Sequence, residues 1–348
     1  MSKQLGTATR LAPRFVKPTP VSTVQLELVK TSFLEPGHSL PLVIQPLIRD
    51  MQLNLWAAEH RNLIEDHLLK CGAVLFRGFR IETVADFEQV VSAVSGEPLK
   101  YTERSSPRHE VGDRIYTSTD YPPEQSIFLH NEHSYSRTFP LKLFFCCMVP
   151  AQQGGETPIA DCRKVLRGIS PDVRRRLEEK KWIYQRNLDN RFGLAWQTVF
   201  QTTDKTAVEA YCRQNQIEFK WKGQDWLCTS QVRPVTAIHP KSGEVVWFNH
   251  ATFFHVTTLN SELSETLLSD LNEDDLPNNT YYGDGSPIEP AVMDHLRAAY
   301  IQETVTFSWQ CGDILLLDNM LTAHSRSSFV GPRKVVVAMA DPHTRSDF

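Results

Sequence analysis

The chain has 348 residues, 41% hydrophobic and 22% charged, an ordinary globular composition with apolar material for one sizeable core or two small ones. A net charge of −4 and a pI ≈ 6.3 offer no basic field for a phosphate backbone, so nucleic acid is not an expected partner. No apolar run approaches the roughly 20 residues of a membrane span, and Met1 to Pro20 lacks the apolar stretch of a secretory signal, so no membrane partner is expected.

Residues 1–45 are rich in Pro and Thr without a clear period and read as an N-terminal arm, followed by a single domain over 46–348. From about Met51 to Lys70, apolar residues at helical spacing predict a helix, with Leu53, Trp56, Leu63, Ile64 and Leu68 inward. Cys71-Gly72 ends it, AVLFRGF (73–79) reads as a buried strand, and a second helix is predicted over 83–94, closed by Gly96. Beyond residue 100 the pattern turns to strands bounded by Gly, Pro and Asn: 127–135, 141–149, 226–235, 244–249, 305–309, 313–319 and 334–340. Helices are predicted at 171–180, 204–215, 261–270 and 290–300. This alternation predicts a mainly β sandwich or barrel with flanking helices. Seven cysteines with no CxxC pair, several inside apolar runs, read as buried free thiols and make the cytoplasm the default location.

Two histidines and a carboxylate stand out. His130 and Glu132 lie two apart in a predicted strand, where i and i+2 share a face and both can enter one cavity. Alone, an HxE pair is more often an exposed polar face. His324 follows the apolar run DILLLDNMLTA, read as a strand leading straight into the histidine; such a His is more often a satisfied core residue than a ligand. Together the three can form a facial triad with open positions, which suits non-haem Fe(II). Zinc accepts the same ligands, and with His133, Asp120 or Asp318 as a general base a zinc hydrolase stays open at this point.

The stretches LHNEHSY (129–135), GGETPIAD (154–161), WFN (247–249), YYGDGSPIE (281–289) and WQCGDILLLDN…HSR…F…GPR (309–333), in this order, resemble the TauD/TfdA-like 2-oxoglutarate oxygenases. The likeness is strongest to the branch similar to amino-acid β-hydroxylases of syringomycin-type pathways, and it runs from about residue 72 to 340. It implies a double-stranded β-helix (jelly roll, clavaminate synthase-like) and a non-haem dioxygenase using Fe(II), 2-oxoglutarate and O2. It also implies iron ligation by His130, Glu132 and His324, and 2-oxoglutarate binding by Thr157 and by Arg333, nine residues beyond His324.

A guanidinium matches the far carboxylate of that cosubstrate bidentately. Without the resemblance, Arg333 reads as a strand-start cation and Thr157 as a turn hydroxyl. Related halogenases vacate the triad carboxylate, so Glu132 implies oxygen transfer, with desaturation or cyclisation still open to the same chemistry. Taurine-type members carry a second arginine where this chain has Val337, so a small sulfonate is not the expected substrate. The likeness implies an amino-acid-like substrate, free or tethered to a carrier protein. Arg326, two residues after His324, is a candidate for the substrate carboxylate or the cosubstrate, or else a salt-bridge partner of Asp318. Arg104, Ser106 and Asn249 are further pocket candidates, whereas Trp247 and Phe248 read as core. The basic residues Arg163, Lys164, Arg167 and Arg174 to Arg176 are either a carrier-docking face or a solvated helix face.

Overall fold

In the computed structural model, which describes residues 28–345 apart from 36, 101, 102, 107, 191, 192 and 260, the nearly continuous apolar run of LKLFFCCMV settles the architecture. Phe144 and Cys146 point to one face of the strand Thr138–Val149; Leu143, Phe145 and Cys147 point to the other, and all five are buried. A strand apolar on both faces needs cover on both, and it lies inside an eight-stranded sheet. The order is Val29–Phe33, Leu42–Pro46, Ala73–Phe76, Ile314–Asp318, Thr138–Val149, Lys334–Thr344, Ile115–Thr117, Glu110–Gly112. All pairings are antiparallel except Leu42–Pro46 beside Ala73–Phe76.

One face of this sheet is covered by three helices, Leu53–Glu59, Arg61–Cys71 and Val84–Ser95, through Leu53, Trp56, Ile64, Leu68, Phe87, Val90 and Val91. The other packs on a four-stranded sheet ordered Thr304–Val305, Ile159–Asp161, Thr322–Arg326, Ile127–His130. Two facing sheets with an apolar interlayer are the double-stranded β-helix expected from the sequence. Each large side chain in that layer contributes roughly 1.5–3 kcal/mol by leaving water. A third sheet, Glu218–Lys222, Trp226–Arg233, Trp182–Leu188, Asn278–Tyr282, carries the helix Lys205–Gln214 on a separate small core around Trp196, Val199, Val208 and Leu227.

The predicted helices at 171–180, 204–215, 261–270 and 290–300 appear as Pro171–Lys180, Lys205–Gln214, Ser261–Asp270 and Pro290–Gln302. Four expectations need correction. The helix over 51–70 is two, broken at His60, whose ring stacks on Trp56 and whose Nδ1 bonds the Trp56 carbonyl at 2.8 Å. The strand at 305–309 shrinks to Thr304–Val305, because Phe307 and Trp309 are buried from an irregular segment. Part of the arm at 1–45 belongs to the main sheet: Leu42, Val43 and Ile44 are buried there, and residues 1–27 lie outside the described residues. The strand at 127–135 stops at His130, and this one bears on the site.

Candidate active site

His130, at the end of Ile127–His130, is paired in register with His324 in the middle of Thr322–Arg326, so the sheet itself puts the two imidazoles side by side, 4.4 Å between centroids. Glu132 reaches them differently from the sequence argument. The chain leaves the sheet after His130 and turns through Asn131 to Ser136, with His133 in the left-handed region at φ 55, so Glu132 is a turn residue and not the i+2 neighbour on a strand face. Asn319 fixes that turn. Its fully buried amide accepts from Glu132 N at 2.8 Å and donates to the carbonyls of Glu132 at 2.8 Å and Pro140 at 2.9 Å, and Asn131 donates to its backbone oxygen at 2.7 Å.

The single run expected into His324 is likewise two strands joined by a turn at 319–321. Asp318 caps that turn by accepting from Met320 N and Leu321 N, and its other oxygen takes a 3.0 Å bond from the buried His239. His239 Nδ1 accepts from the backbone amides of Lys241 and Ser242, so the proton facing Asp318 sits on Nε2. Asp318 is therefore occupied, and Asp120 pairs with His109 at 2.7 Å at the surface; neither joins the His–Glu–His group.

One donor atom from each of His130, Glu132 and His324 lies within 4.8 Å of the others, and this is the one such group among the described residues. His130 Nδ1 is 2.9 Å from the Phe128 carbonyl, which can only accept, so Nδ1 carries the proton and Nε2 keeps its lone pair. Burial holds His130 and His324 below their ordinary pKa, neutral at physiological pH. Burial alone would push Glu132 up, but the Arg108 guanidinium 2.8 Å away holds it well below the usual carboxylate range. Phe253 stacks on His130 at 4.8 Å and Phe145 packs against His324 at 5.1 Å, limiting ring rotation. Glu132 Oε1 is buried without a hydrogen bond. Two neutral imidazoles and an ionised carboxylate with an unsatisfied oxygen fit a divalent N/O-liganded metal such as Fe(II).

The group opens on a cavity of about 890 Å³ with one polar wall, from Ser106 to Ser126, and one apolar wall that includes Leu194, Phe253, Phe254, Val256 and Leu276. Among the described residues, three guanidiniums line it: Arg108, Arg326 and Arg333. Arg333 donates from Nε to the Gly155 carbonyl at 2.8 Å and from Nη1 to Ser118 Oγ at 3.2 Å, and no carboxylate among the described residues pairs with it. Burial and the neighbouring charge of Arg326 bring its pKa down to about 10. Gly155, at φ +73, makes this fit: a Cβ there would lie 2.9 Å from Arg333 Cδ. Thr157 sits on the same wall, its hydroxyl accepting from Trp309 Nε1 at 3.2 Å.

The other candidates fare unevenly. Arg326 lines the cavity, but its guanidinium is spent on the carbonyls of Tyr121, Pro122 and Gln125 at 2.8, 2.6 and 2.5 Å rather than on Asp318. A register irregularity between His324 and Arg326 breaks the simple i+2 relation. Ser106 lines the cavity; Arg104 and Asn249 do not. Both ends of the Asn249 amide are used locally, by Val235 O and Ala251 N, and Arg104 leans over the Tyr116 ring and reaches the Arg108 carbonyl. Val337, Trp247 and Phe248 are core. On the basic face, Arg163 pairs with Asp161 and Glu244, Arg174 with Glu178, Arg175 with Asp172 and Arg176 with Glu289. Sequence reasoning missed Arg108 and Asn319; the second had a signal in LLLDN, a strand followed by a turn residue able to bond in both directions.

A jelly roll whose sheet pairs two histidines, with a turn that adds a glutamate, beside one cavity is the frame of a metal-dependent oxygenase. Residues 40–339 match the Taurine catabolism dioxygenase TauD, TfdA family, and the chain belongs to it. It is a non-haem iron dioxygenase that uses Fe(II), 2-oxoglutarate and O2. It is 41% identical over 279 residues to the dapdiamide synthesis protein DdaC of Enterobacter agglomerans, covering 80% of this chain and 85% of that protein. A clavaminate synthase-like protein of Arabidopsis thaliana is 31% identical over 315 residues, 87% of this chain and 89% of its own. The PvcB protein of Pseudomonas aeruginosa shares the fold at a TM-score of 0.54 with 14% identity, covering 94% of this chain and 99% of that one. No helix among the described residues is long and apolar enough to cross a membrane.

Proposed function

We propose that the chain installs a hydroxyl on an unactivated carbon of an amino-acid-derived small molecule in the synthesis of a specialised metabolite. In this reading His130, Glu132 and His324 hold the iron, and Arg333 with Thr157 holds 2-oxoglutarate. The observation that carries it is the convergence of three metal-type donors within 4.8 Å beside a cavity containing Arg333, a guanidinium that pairs with no carboxylate among the described residues. Bound there, iron with 2-oxoglutarate and O2 supplies the oxidising power for C–H cleavage, with succinate and carbon dioxide as coproducts.

The chain's own residues do the rest. Burial keeps His130 and His324 unprotonated, the Phe128 carbonyl fixes the His130 tautomer, and Asn319 holds Glu132 in its turn. Arg333 offers a charge-matched fork at one end of the cavity, and the wall of Leu194, Phe253, Phe254 and Leu276 excludes water from the other. The 41% identity to a protein named for dapdiamide synthesis supports the amino-acid-derived substrate class and the biosynthetic setting. Retention of Glu132 supports hydroxylation over halogenation.

The test is an anaerobic titration with Fe(II) and then 2-oxoglutarate, followed by the weak visible band of the keto-acid chelate. The band is expected in the wild type and lost in His130→Ala and His324→Ala. Succinate formation persisting in either variant would overturn the ligand assignment. Product analysis then separates hydroxylation from desaturation or cyclisation.

A further inference from the structure

Of the three guanidiniums in the cavity, two have roles from their surroundings: Arg333 faces the Thr157 end and Arg326 ties down the loop 121–125. Arg108 is different. Its Nη2 lies 2.8 Å from Glu132 Oε2, both side chains are buried, and its Nε reaches Ser106 Oγ at 3.4 Å. The oxygen it grips is the one 3.9 Å from His324 Nε2. A dication bound to that oxygen at about 2 Å would sit roughly 4 Å from the guanidinium, and in a buried site the two repel strongly. Oε2 is the Glu132 oxygen within 4 Å of a triad imidazole, so a metal there competes with the guanidinium for it, whereas the unbonded Oε1 lies 3.6 Å from His133 Nε2.

We infer that Arg108 is a displaceable counter-ion: it neutralises Glu132 in the metal-free protein, and metal binding turns its guanidinium into the cavity to bind a carboxylate of the substrate. The charge balance supports this. Among the described residues, Arg108, Arg326 and Arg333 set against Glu124 and Glu132 give one net positive charge. A divalent metal and the 2-oxoglutarate dianion cancel, so the loaded cavity keeps that surplus and favours a substrate with one net negative charge. Ser106 beside Arg108 supplies a hydroxyl to the same group. Metal loading and anion binding are then reciprocally coupled.

The inference rests on the triad reading above, and the experiment separates the two. Mn(II) affinity is measured in the 2-oxoglutarate-saturated wild type, His324→Ala, Arg108→Gln and Arg108→Lys, with and without formate as a small carboxylate probe, and circular dichroism checks each fold. Loss of affinity in His324→Ala tests the triad alone. Arg108→Gln is expected to bind Mn(II) roughly 5- to 100-fold more tightly than wild type, with Arg108→Lys between them. Formate should tighten Mn(II) binding in the wild type and not in Arg108→Gln. Unchanged or weakened Mn(II) binding in a folded Arg108→Gln, or in Arg108→Lys should Arg108→Gln fail to fold, would overturn the displacement. An equal formate effect in wild type and Arg108→Gln would overturn the anion anchor.

Discussion

Replacing Gly155 with alanine perturbs the proposed cosubstrate pocket without removing a charge from it. The residue sits at φ +73, and an added methyl would meet Arg333 Cδ at 2.9 Å, Arg333 Nε at 3.0 Å and Ala151 Cβ at 3.0 Å. Left-handed backbone costs a non-glycine residue roughly 1–2 kcal/mol, so the variant should melt a few degrees lower. The guanidinium must also recede by several tenths of an ångström, while its anchor, the 2.8 Å bond from Nε to the Gly155 carbonyl, is carried by the residue that pushes it. A charge-assisted hydrogen bond contributes about 1.5–3 kcal/mol, and weakening one to a bound carboxylate by half costs about 1 kcal/mol. Since 1.4 kcal/mol is about tenfold, the 2-oxoglutarate Kd should rise roughly five- to tenfold. Titrating the visible band of the anaerobic Fe(II) protein measures this, with Fe(II) affinity as the control because no metal-type donor is touched. Arg333→Ala should give a larger rise. A lower melting temperature with an unchanged Kd in Gly155→Ala and Arg333→Ala would show that the far carboxylate is held elsewhere.

Asn319→Ala removes three buried side-chain bonds around Glu132, so it should cost on the order of 3 kcal/mol in denaturant melts and weaken metal binding about 10-fold or more. Intact metal affinity in a folded Asn319→Ala would mean that the turn holds Glu132 without it. Arg326→Ala should release the segment 121–125 and raise its amide exchange, while changing the 2-oxoglutarate Kd less than Arg333→Ala does. The reverse order would make Arg326 the cosubstrate anchor. Burial and the charge of Arg297 hold the His255 pKa down to about 4, against an unfolded value of 6.5. The unfolded chain binds the extra proton first, so stability should fall as pH drops from about 6.5 to about 4 and level off below, by on the order of 3 kcal/mol. His255→Gln should flatten that limb in melts across the range; an unchanged limb would assign it to other groups.

The sequence was most legible where one local rule and the tertiary fold agree. The helix Pro171–Lys180 opens on a proline at its first position, and Lys205–Gln214 is capped by Asp204, so both were readable from local chemistry. The strands through LKLFFCCMV and DILLLD were readable because a layer buried on both faces leaves an unbroken apolar run. Trp182–Leu188 and Asn278–Tyr282 were not marked as strands. Their sequences, WIYQRNL and NNTYY, place buried polar residues such as Arg186, Asn187 and Asn279 where periodicity expects apolar ones. Those residues are satisfied by distant partners: Arg186 by the Arg104 carbonyl, and Asn187 by the carbonyls of Asp274 and Leu276.

The candidate site shows the same division more sharply. His130 and Glu132 were singled out by an argument from strand pleat, yet Glu132 joins the histidines through a turn that strand periodicity cannot describe. What makes the turn work is Asn319, 187 residues away in sequence. Arg108 was harder still. It lies in a segment without periodicity, between Ser106 and the short strand Glu110–Gly112, and nothing within several residues of it indicates a buried partner. Its meaning comes from a 2.8 Å contact with a carboxylate 24 residues on. A buried guanidinium needs an anion or a set of hydrogen-bond acceptors, and the fold supplies each of the three cavity arginines with a different solution: a carboxylate for Arg108, loop carbonyls for Arg326, and for Arg333 a glycine carbonyl and a serine hydroxyl, with no carboxylate paired to it among the described residues. Periodicity gives the three arginines equal standing, and the family resemblance singles out Arg333; the partners that distinguish them are set by tertiary contact.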